Sequence, residues 1–490
     1  MGGESLNGRH GVLRSPFAVL ALFLMLVTSG ACSDGDRVSQ SEADRPPRQI
    51  DGGADPGVRE SAGQSPGGRW TRESPIRVDQ FGYRPGDPKW AVLVDPELGF
   101  NDDLDYKPSA QIEVRRVGDD AVVLSASPIA WEQGRVHEQS GDRGWWVDFS
   151  EVREPGSYYV IDVDAGVESA PFEIADDVYD RVLETALRVF WYNRGNLAHP
   201  EELAGPWADE AAFVGPGQDT EARWVDDRSN PDTALDLSGG WFDAGDTNKY
   251  VTFASEPVHQ LLTAYRRAPQ VFGDDLGIPE SGNGLPDLID EIRWEMDWLE
   301  RMQQPDGGVL VKVGVVDLEG PTTPSESDLP RFYEEACSSS TITAAGMYAH
   351  AATVFATFPE LADDAERLEG RAEAAWRWYR QNPKRDDCDP QIIWAGDADL
   401  PLDEQRVEEV VAAVHLFALT GDQTYNDIVA AGFGLTQPFV DDGFGHYGPD
   451  QADALLAYRE LPGADEVVVE AIDARLATLV EQSPMLGFDP

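Results

Sequence analysis

The sequence predicts a small antiparallel β-sandwich followed by an all-α domain made of helical hairpins. From about residue 75 to residue 175, large apolar residues alternate with polar ones at period two, and turn signals separate the runs. Near Val178 the spacing changes to three and four and stays helical from there on. The segments between the helical stretches are rich in Gly, Pro and Asp, which suits hairpins that carry function at one loop end. A chain of 490 residues exceeds the usual size of one domain, and 41% hydrophobic content is ample for two cores.

Each segment has its own signature, beginning with an export signal over residues 1–32. Arg9 and Arg14 precede an apolar run, Phe17 to Val27, that is too short to span a bilayer. Ser29, Gly30 and Ala31 then meet Cys32, the layout of a lipoprotein cleavage site at which Cys32 would be acylated. Ser29 stands where an aliphatic residue is usual, so ordinary cleavage nearby is the alternative; the chain is exported either way, as an envelope lipoprotein or a secreted protein. Residues 33–74 contain almost no large apolar side chain and read as a disordered tether. Residues 75–175 form the sandwich, with Ile112 and Val114, then Trp145, Val147 and Phe149, then Tyr159, Ile161 and Val163 alternating after a turn at Pro155-Gly156. Trp145 and Trp146 read as core aromatics in preference to a sugar-binding pair. Residues 176–490 are the helical domain. About nine helices are expected in it, near 179–190, 251–267, 285–299, 338–357, 363–381, 407–417, 423–434, 448–459 and 464–480.

One stretch, DLSGGWFDAGDTNKY from Asp236 to Tyr250, carries chemistry. Gly239, Gly240 and Gly245 free the backbone for tight turns, so that Asp243 and Asp246 can share one small volume and activate water. Trp207, Trp241, Phe242 and Tyr250 offer flat faces for stacking on sugar rings, while Asp236 and Asn248 offer hydrogen bonds to hydroxyls. Read alone, a Gly- and Asp-rich string also fits a plain turn or a calcium loop.

The longer string GGWFDAGDTNKYV closely resembles the catalytic-base motif of glycoside hydrolase family 9. Two other segments are similar to that family: IRVDQFGYRPGDPKWAVL, from Ile76, to the opening strand of its immunoglobulin-like module, and ESGNGLPDLIDEIRWEMDWLERMQQPDGGV, from Glu280, to the helix and loop after the base. The resemblance implies an immunoglobulin-like sandwich and an (α/α)6 toroid of six hairpins. It implies an exported, inverting β-1,4-glucan hydrolase acting on a cellulose-type polysaccharide or oligosaccharide. Asp246 is the implied base, and Asp243 the group that helps hold the attacking water. Twelve helices make such a toroid, and the family's general acid is a glutamate in a segment that this chain does not reach before Pro490. The toroid is therefore expected to be partial at its C-terminal end, with Val468, Ile472, Leu476 and Leu479 exposed along an open seam, and no acid is assigned. Were Pro490 the true end, the expected protein is a catalytically inactive, envelope-tethered glycan-binding protein.

Composition narrows the partners. A formal charge of −52 would repel nucleic acid and anionic lipid but leave a neutral glucan unaffected. A monomer bearing at most a lipid anchor is expected. No cofactor is required. Relatives with the immunoglobulin-like module carry a structural zinc, but Gly195, Asp209, Ala212 and Phe213 stand where its ligands would be, and zinc is not expected. His350 and His415 sit in apolar helical context and read as satisfied core histidines. Structural calcium stays open at Glu280, Asn283 and Asp287, a set that fits a solvated loop or helix cap better. Cys337 and Cys388 both lie in loop-like sequence and are left either paired or free.

Overall fold

A computed structural model describes residues 74–99, 101–317, 323–440 and 448–482. The export signal, Cys32 and nearly all of the tether lie outside the described residues, as does Pro490. The chain divides into two compact units between Val182 and Leu183.

The first unit holds two sheets. One runs β1 (Ile76–Arg77), β2 (Trp90–Pro96), β6 (Asp142–Asp148), β5 (Ile129–Ala130), and the other β4 (Val122–Ala126), β3 (Ile112–Arg116), β7 (Gly156–Asp162), β8 (Val167–Glu168), with β9 (Phe172–Ile174) also on β7. All pairs are antiparallel, with Leu93 opposite Trp145 and Val114 opposite Val160. Ile76, Leu93 and Val147 of one sheet share a core with Ile112, Val114 and Val160 of the other. Each such buried side chain contributes about 1.5–3 kcal/mol. Trp145 packs on this core, whereas Trp146 meets Trp90 edge to face. The alternation expected for β7 has the right period and the wrong phase. Tyr158 and Val160 point inward and Val163 is exposed, because the buried Asp162, in phase with them, is satisfied by Ser109 N at 2.8 Å and Tyr106 Oη at 3.1 Å.

The second unit is helical. Its longer helices are α1 (Asp180–Tyr192), α2 (Ser255–Arg267), α3 (Asp287–Met302), α4 (Ser338–Phe355), α5 (Ala362–Gln381), α6 (Leu402–Thr420), α7 (Gln423–Gly432), α8 (Pro449–Tyr458) and α9 (Glu466–Gln482). They match the nine expected stretches, with ends displaced by a few residues. Local chemistry sets the boundaries: Gly421 ends α6 in the left-handed conformation, and the Asp422 side chain then accepts from Thr424 N at 2.9 Å to start α7. Among the described helices, α2, α4, α6 and α8 contact one another in a cycle, and α5, α7 and α9 pack against α4, α6 and α8 respectively. Every residue of α4 except Thr353 is buried; its Ser, Ala and Gly content lets neighbouring helices approach closely. Val468 and Ile472 are buried at 1% and 0% exposure, contrary to the exposed seam expected for them, while Leu476 and Leu479 of the same set are half-buried. They join the core around α8 and α9. No helix among the described residues is long and apolar enough to cross a membrane.

A small mixed sheet lies in this unit: β10 (Arg223–Trp224), β13 (Phe332–Tyr333), β12 (Lys312–Gly314) and β11 (Lys249–Tyr250). It sets Tyr250 opposite Lys312, and the loop before β11 is the Asp236–Asn248 segment.

Candidate active site

The loop that enters β11 is built around glycines and one strained threonine. Gly240 has φ +73°, and a Cβ there would meet the Trp298 ring at 2.6 Å, so no other residue fits. Gly245 has open space around it and no left-handed φ, so the expected need for glycine fails at that position; Thr247 takes φ 57° instead. A left-handed non-glycine residue costs about 1–3 kcal/mol and persists only where its surroundings impose it. Here Arg331 Nη2 donates to Thr247 O at 2.8 Å.

Asp246 emerges from this loop half-buried and firmly oriented. Its Oδ1 accepts from Asn248 N at 3.2 Å, and its Oδ2 accepts from Tyr250 Oη at 2.7 Å and Asn248 Nδ2 at 3.3 Å. The Tyr250 hydroxyl also lies 2.9 Å from Ala395 O, so its one proton is divided between two acceptors. Asp243 projects from the exposed part of the loop. Desolvation, and then the like charge of Asp246, push its carboxyl up to about 6.

Buried charge holds the loop from beneath. Lys249 Nζ donates to Asp219 Oδ2, Leu237 O and Gly239 O, each at 2.8 Å, and Arg331 Nε donates to Asp219 Oδ1 at 2.8 Å. All three ionic side chains are fully buried. Beside them Trp241 N donates to Glu295 and Trp241 Nε1 to Glu291, which in turn is paired with Arg194. Pairing of this kind is what permits ions in a dry interior.

A second loop closes the other side. Gln391 and Ala395 have φ 58° and 64°, and at Gly396 a Cβ would meet the Tyr250 ring at 2.8 Å. Lys312 Nζ fastens this loop through Asp389 at 2.6 Å, Ile393 O at 3.0 Å and Gly396 O at 3.1 Å. The Cys337–Cys388 disulfide ties its base to the start of α4, settling the pairing that sequence left open. The loop presents Trp394 with 51% of its surface exposed, while Trp394 O accepts from Asn248 Nδ2 at 2.7 Å. Sequence reasoning missed Trp394, Lys249, Lys312 and Arg331. One signal was available: only five lysines occur in so acidic a chain, and Lys89, Lys249 and Lys312 are fully buried.

Several expected substrate-binding residues serve the fold instead. Trp241 and Phe242 are buried at 8% and 7% exposure, one in the helical core and the other against Phe213, so neither presents a face for stacking. Tyr250 is buried at 3%, and its hydroxyl positions Asp246. Asn248 is spent on Asp246, Tyr250, Trp394 O and Val315 N. Asp236 is exposed and caps its own turn by accepting from Ser238 N and Oγ. Trp207 is 73% exposed and keeps an open face.

The stretches expected to lack zinc ligands offer little for a metal. Gly195, Ala212 and Phe213 have no donor, and both Asp209 oxygens accept from Ser325, so the residues do not fit a zinc site. Glu280, Asn283 and Asp287 are engaged separately with Arg194, Asp290 and the Leu276–Ser281 turn. Asp287 Oδ1 alone of their oxygens is buried without a partner. His259, His350 and His415, from α2, α4 and α6, come together in the core. They are not fully satisfied: one Nδ1 donates to another between His259 and His350 at 2.9 Å, and both Nε2 atoms find no partner. Their planes lie within 22° of parallel, with centroids 4.1–5.2 Å apart. An ion shared by three imidazoles must lie in all three ring planes, so this is a stack and not a coordination shell.

Comparison with known proteins identifies the family. The model of Glycosyl hydrolase family 9 matches residues 179–455, more than half of the chain. The chain belongs to glycosyl hydrolase family 9. A second match, to the cellulase N-terminal ig-like domain, covers residues 71–168. Among family 9 relatives, Endoglucanase C of Cellulomonas fimi is 30% identical over 83% of this chain and 38% of its own length. A xyloglucan-specific endo-beta-1,4-glucanase of Bacteroides ovatus is 28% identical over 72% of this chain and 58% of its own. The chain thus spans well under two thirds of these relatives. A solved metagenome-derived family 9 endoglucanase superposes with a TM-score of 0.70 at 29% identity, over 83% of this chain and 72% of that one.

Proposed function

We propose that this protein is an exported hydrolase of β-1,4-linked glucan that acts with inversion, its helical hairpins belonging to an (α/α)6 toroid. The observation that carries the reading is Asp246, aimed by Tyr250 and Asn248 three residues from a second carboxylate. Water held between Asp243 and Asp246 gives one proton to Asp246 as its oxygen attacks the anomeric carbon; the leaving oxygen takes a proton from an acid that we assign to no residue here. Family membership and relatives called endoglucanases support the substrate class. The test is to follow reducing ends and viscosity together on soluble mixed-linkage glucan, xyloglucan and a cellulose ether. Hydrolysis of none of them, or a first-formed product with the substrate's own anomeric configuration, would remove the reading. Viscosity falling ahead of reducing ends identifies endo action.

Two outcomes follow from the geometry. Tyr250→Phe keeps the buried ring but removes the hydroxyl from a charged acceptor, an interaction worth about 1.5–3 kcal/mol, so kcat should fall about 10- to 100-fold. A normal kcat would show that Asn248 alone orients Asp246. Asp243 has to be ionised to accept from water. Because its carboxyl is raised to about 6, kcat/KM should climb as pH rises through that value, and an acid limb near 4 would exclude this role.

A further inference from the structure

The loop that carries Trp394 is organised around one buried ion pair, Lys312 with Asp389, and neither side chain reaches solvent. Lys312 Nζ donates to Asp389 Oδ2, Ile393 O and Gly396 O, which uses all three of its protons. Asp389 in turn accepts from Gln391 N at 3.1 Å and from Ala398 N at 2.9 Å. The pair therefore fixes the loop at positions 389, 391, 393, 396 and 398. Such bracing opposes a local cost, because Gln391 and Ala395 hold left-handed φ values that persist only where their surroundings impose them.

The braced loop delivers two consecutive carbonyls. Trp394 O accepts from Asn248 Nδ2 at 2.7 Å, and Ala395 O from Tyr250 Oη at 2.9 Å. The same two donors are the side chains that hold Asp246 Oδ2, and Asn248 Nδ2 also donates to Tyr250 Oη at 3.0 Å. Asp246 is thus aimed by two groups that are themselves seated on this loop. Lys312 meets Tyr250 directly as well. Strand pairing sets the two residues opposite one another, and Nζ lies 5.7 Å from the centre of the Tyr250 ring, within cation–π range.

We propose that Lys312 is a positioning residue for the hydrolysis: paired with Asp389, it holds the Trp394 and Ala395 carbonyls where they orient Asn248 and Tyr250, and through them Asp246. The proposal rests on the hydrolase reading with Asp246 as the base. Lys312 is buried, so it acts on the reaction only through the groups it holds. A base displaced by about 1 Å can lose about 10²-fold in rate, and releasing the two carbonyls removes what prevents that displacement.

The test is made on the full chain with Lys312→Met and Asp389→Asn combined, so that no charge is left buried without its partner. On a soluble β-glucan, kcat should fall about tenfold or more while KM changes less than about twofold. The same paired change is then made in the Tyr250→Phe protein. There it should cost about threefold or less, because one of the two routes to Asp246 is already cut and effects on one route do not multiply. A normal kcat, or an equal fold-loss in both backgrounds, overturns the proposal and leaves the hydrolase standing; a general loss of folded protein would give the equal fold-loss. Should the paired change fail to fold, Asp389→Asn alone, which keeps the volume and the lysine, is judged in the two backgrounds by the same criteria. If the unaltered chain hydrolyses nothing, the hydrolase reading falls, and crystals of the altered and unaltered proteins decide the positioning: a Tyr250 hydroxyl still on Asp246 in the altered protein overturns it, and a displaced one sustains it.

Discussion

Asp246→Asn should lower kcat on a soluble β-glucan by at least about 10²- to 10⁴-fold, the usual worth of one acid-base group. An asparagine there keeps the volume and can still accept from Tyr250 Oη, so the loop is expected to stay folded and the melting temperature to change by no more than about 2 °C. What is lost is the oxygen that takes the proton from water. In Asp246→Ala, added azide should restore turnover as a glycosyl azide of the anomer opposite to the substrate's, since a small anion needs no base. Near-normal hydrolysis by either variant would mean that another group deprotonates the water.

Acid should unfold the helical unit through His259, His350 and His415. Desolvation holds His259 down to about 3 and keeps the other two well below the usual imidazole range, helped by the charges of neighbouring rings and of Arg266. The fold therefore contains neutral rings, whereas the unfolded chain takes up protons near pH 6.5. Their stabilisation is complete above about pH 6.5 and is lost as pH falls toward 3. For His259 alone the loss between pH 6.5 and 5 is about 2 kcal/mol, at about 1.4 kcal/mol per pH unit, against a total stability of roughly 5–15 kcal/mol. Buried Glu295, raised to about 8, and Glu334, raised to about 7, act in the opposite sense and lose stability as pH rises, so the wild-type curve alone cannot isolate the histidines. The informative measurement is the difference: between pH 7 and 5 the wild-type melting temperature should fall by about 4–8 °C more than that of His259→Leu. Parallel curves would show that the stack does not titrate the fold.

What could be read from the sequence follows a physical division. Helices were legible because a 3.6-residue period runs over ten or more residues, and α4, α5 and α6 lie within a few residues of expectation. The placement of two carboxylates on one short loop was legible because glycines flank them in a short motif. The phase of β7 was not, since Tyr158 to Val163 is apolar on both faces and only the donors around Asp162 decide which side turns in. Trp241 and Phe242 were misjudged for a related reason. An aromatic beside a catalytic aspartate can face the ligand or anchor the loop, and contacts with Phe190, Glu291 and Phe213, distant in sequence, decide it. Trp394 sits 148 positions beyond Asp246 and joins the site through Asn248, a link that no local pattern could reveal. The histidines of the core come from three helices with no shared spacing.

The burial of Lys89, Lys249 and Lys312 bears on how the protein can be handled. Of its five lysines, only Lys107 and Lys384 present their side chains to solvent. An amine-reactive dye, crosslinker or activated resin therefore meets two lysine attachment points, one in the sheet unit and one in the helical unit. The two lysines beneath the loops of Asp246 and Trp394 are shielded from it. Conjugation at lysine thus gives a nearly uniform labelled product and leaves Lys249 and Lys312 unmodified.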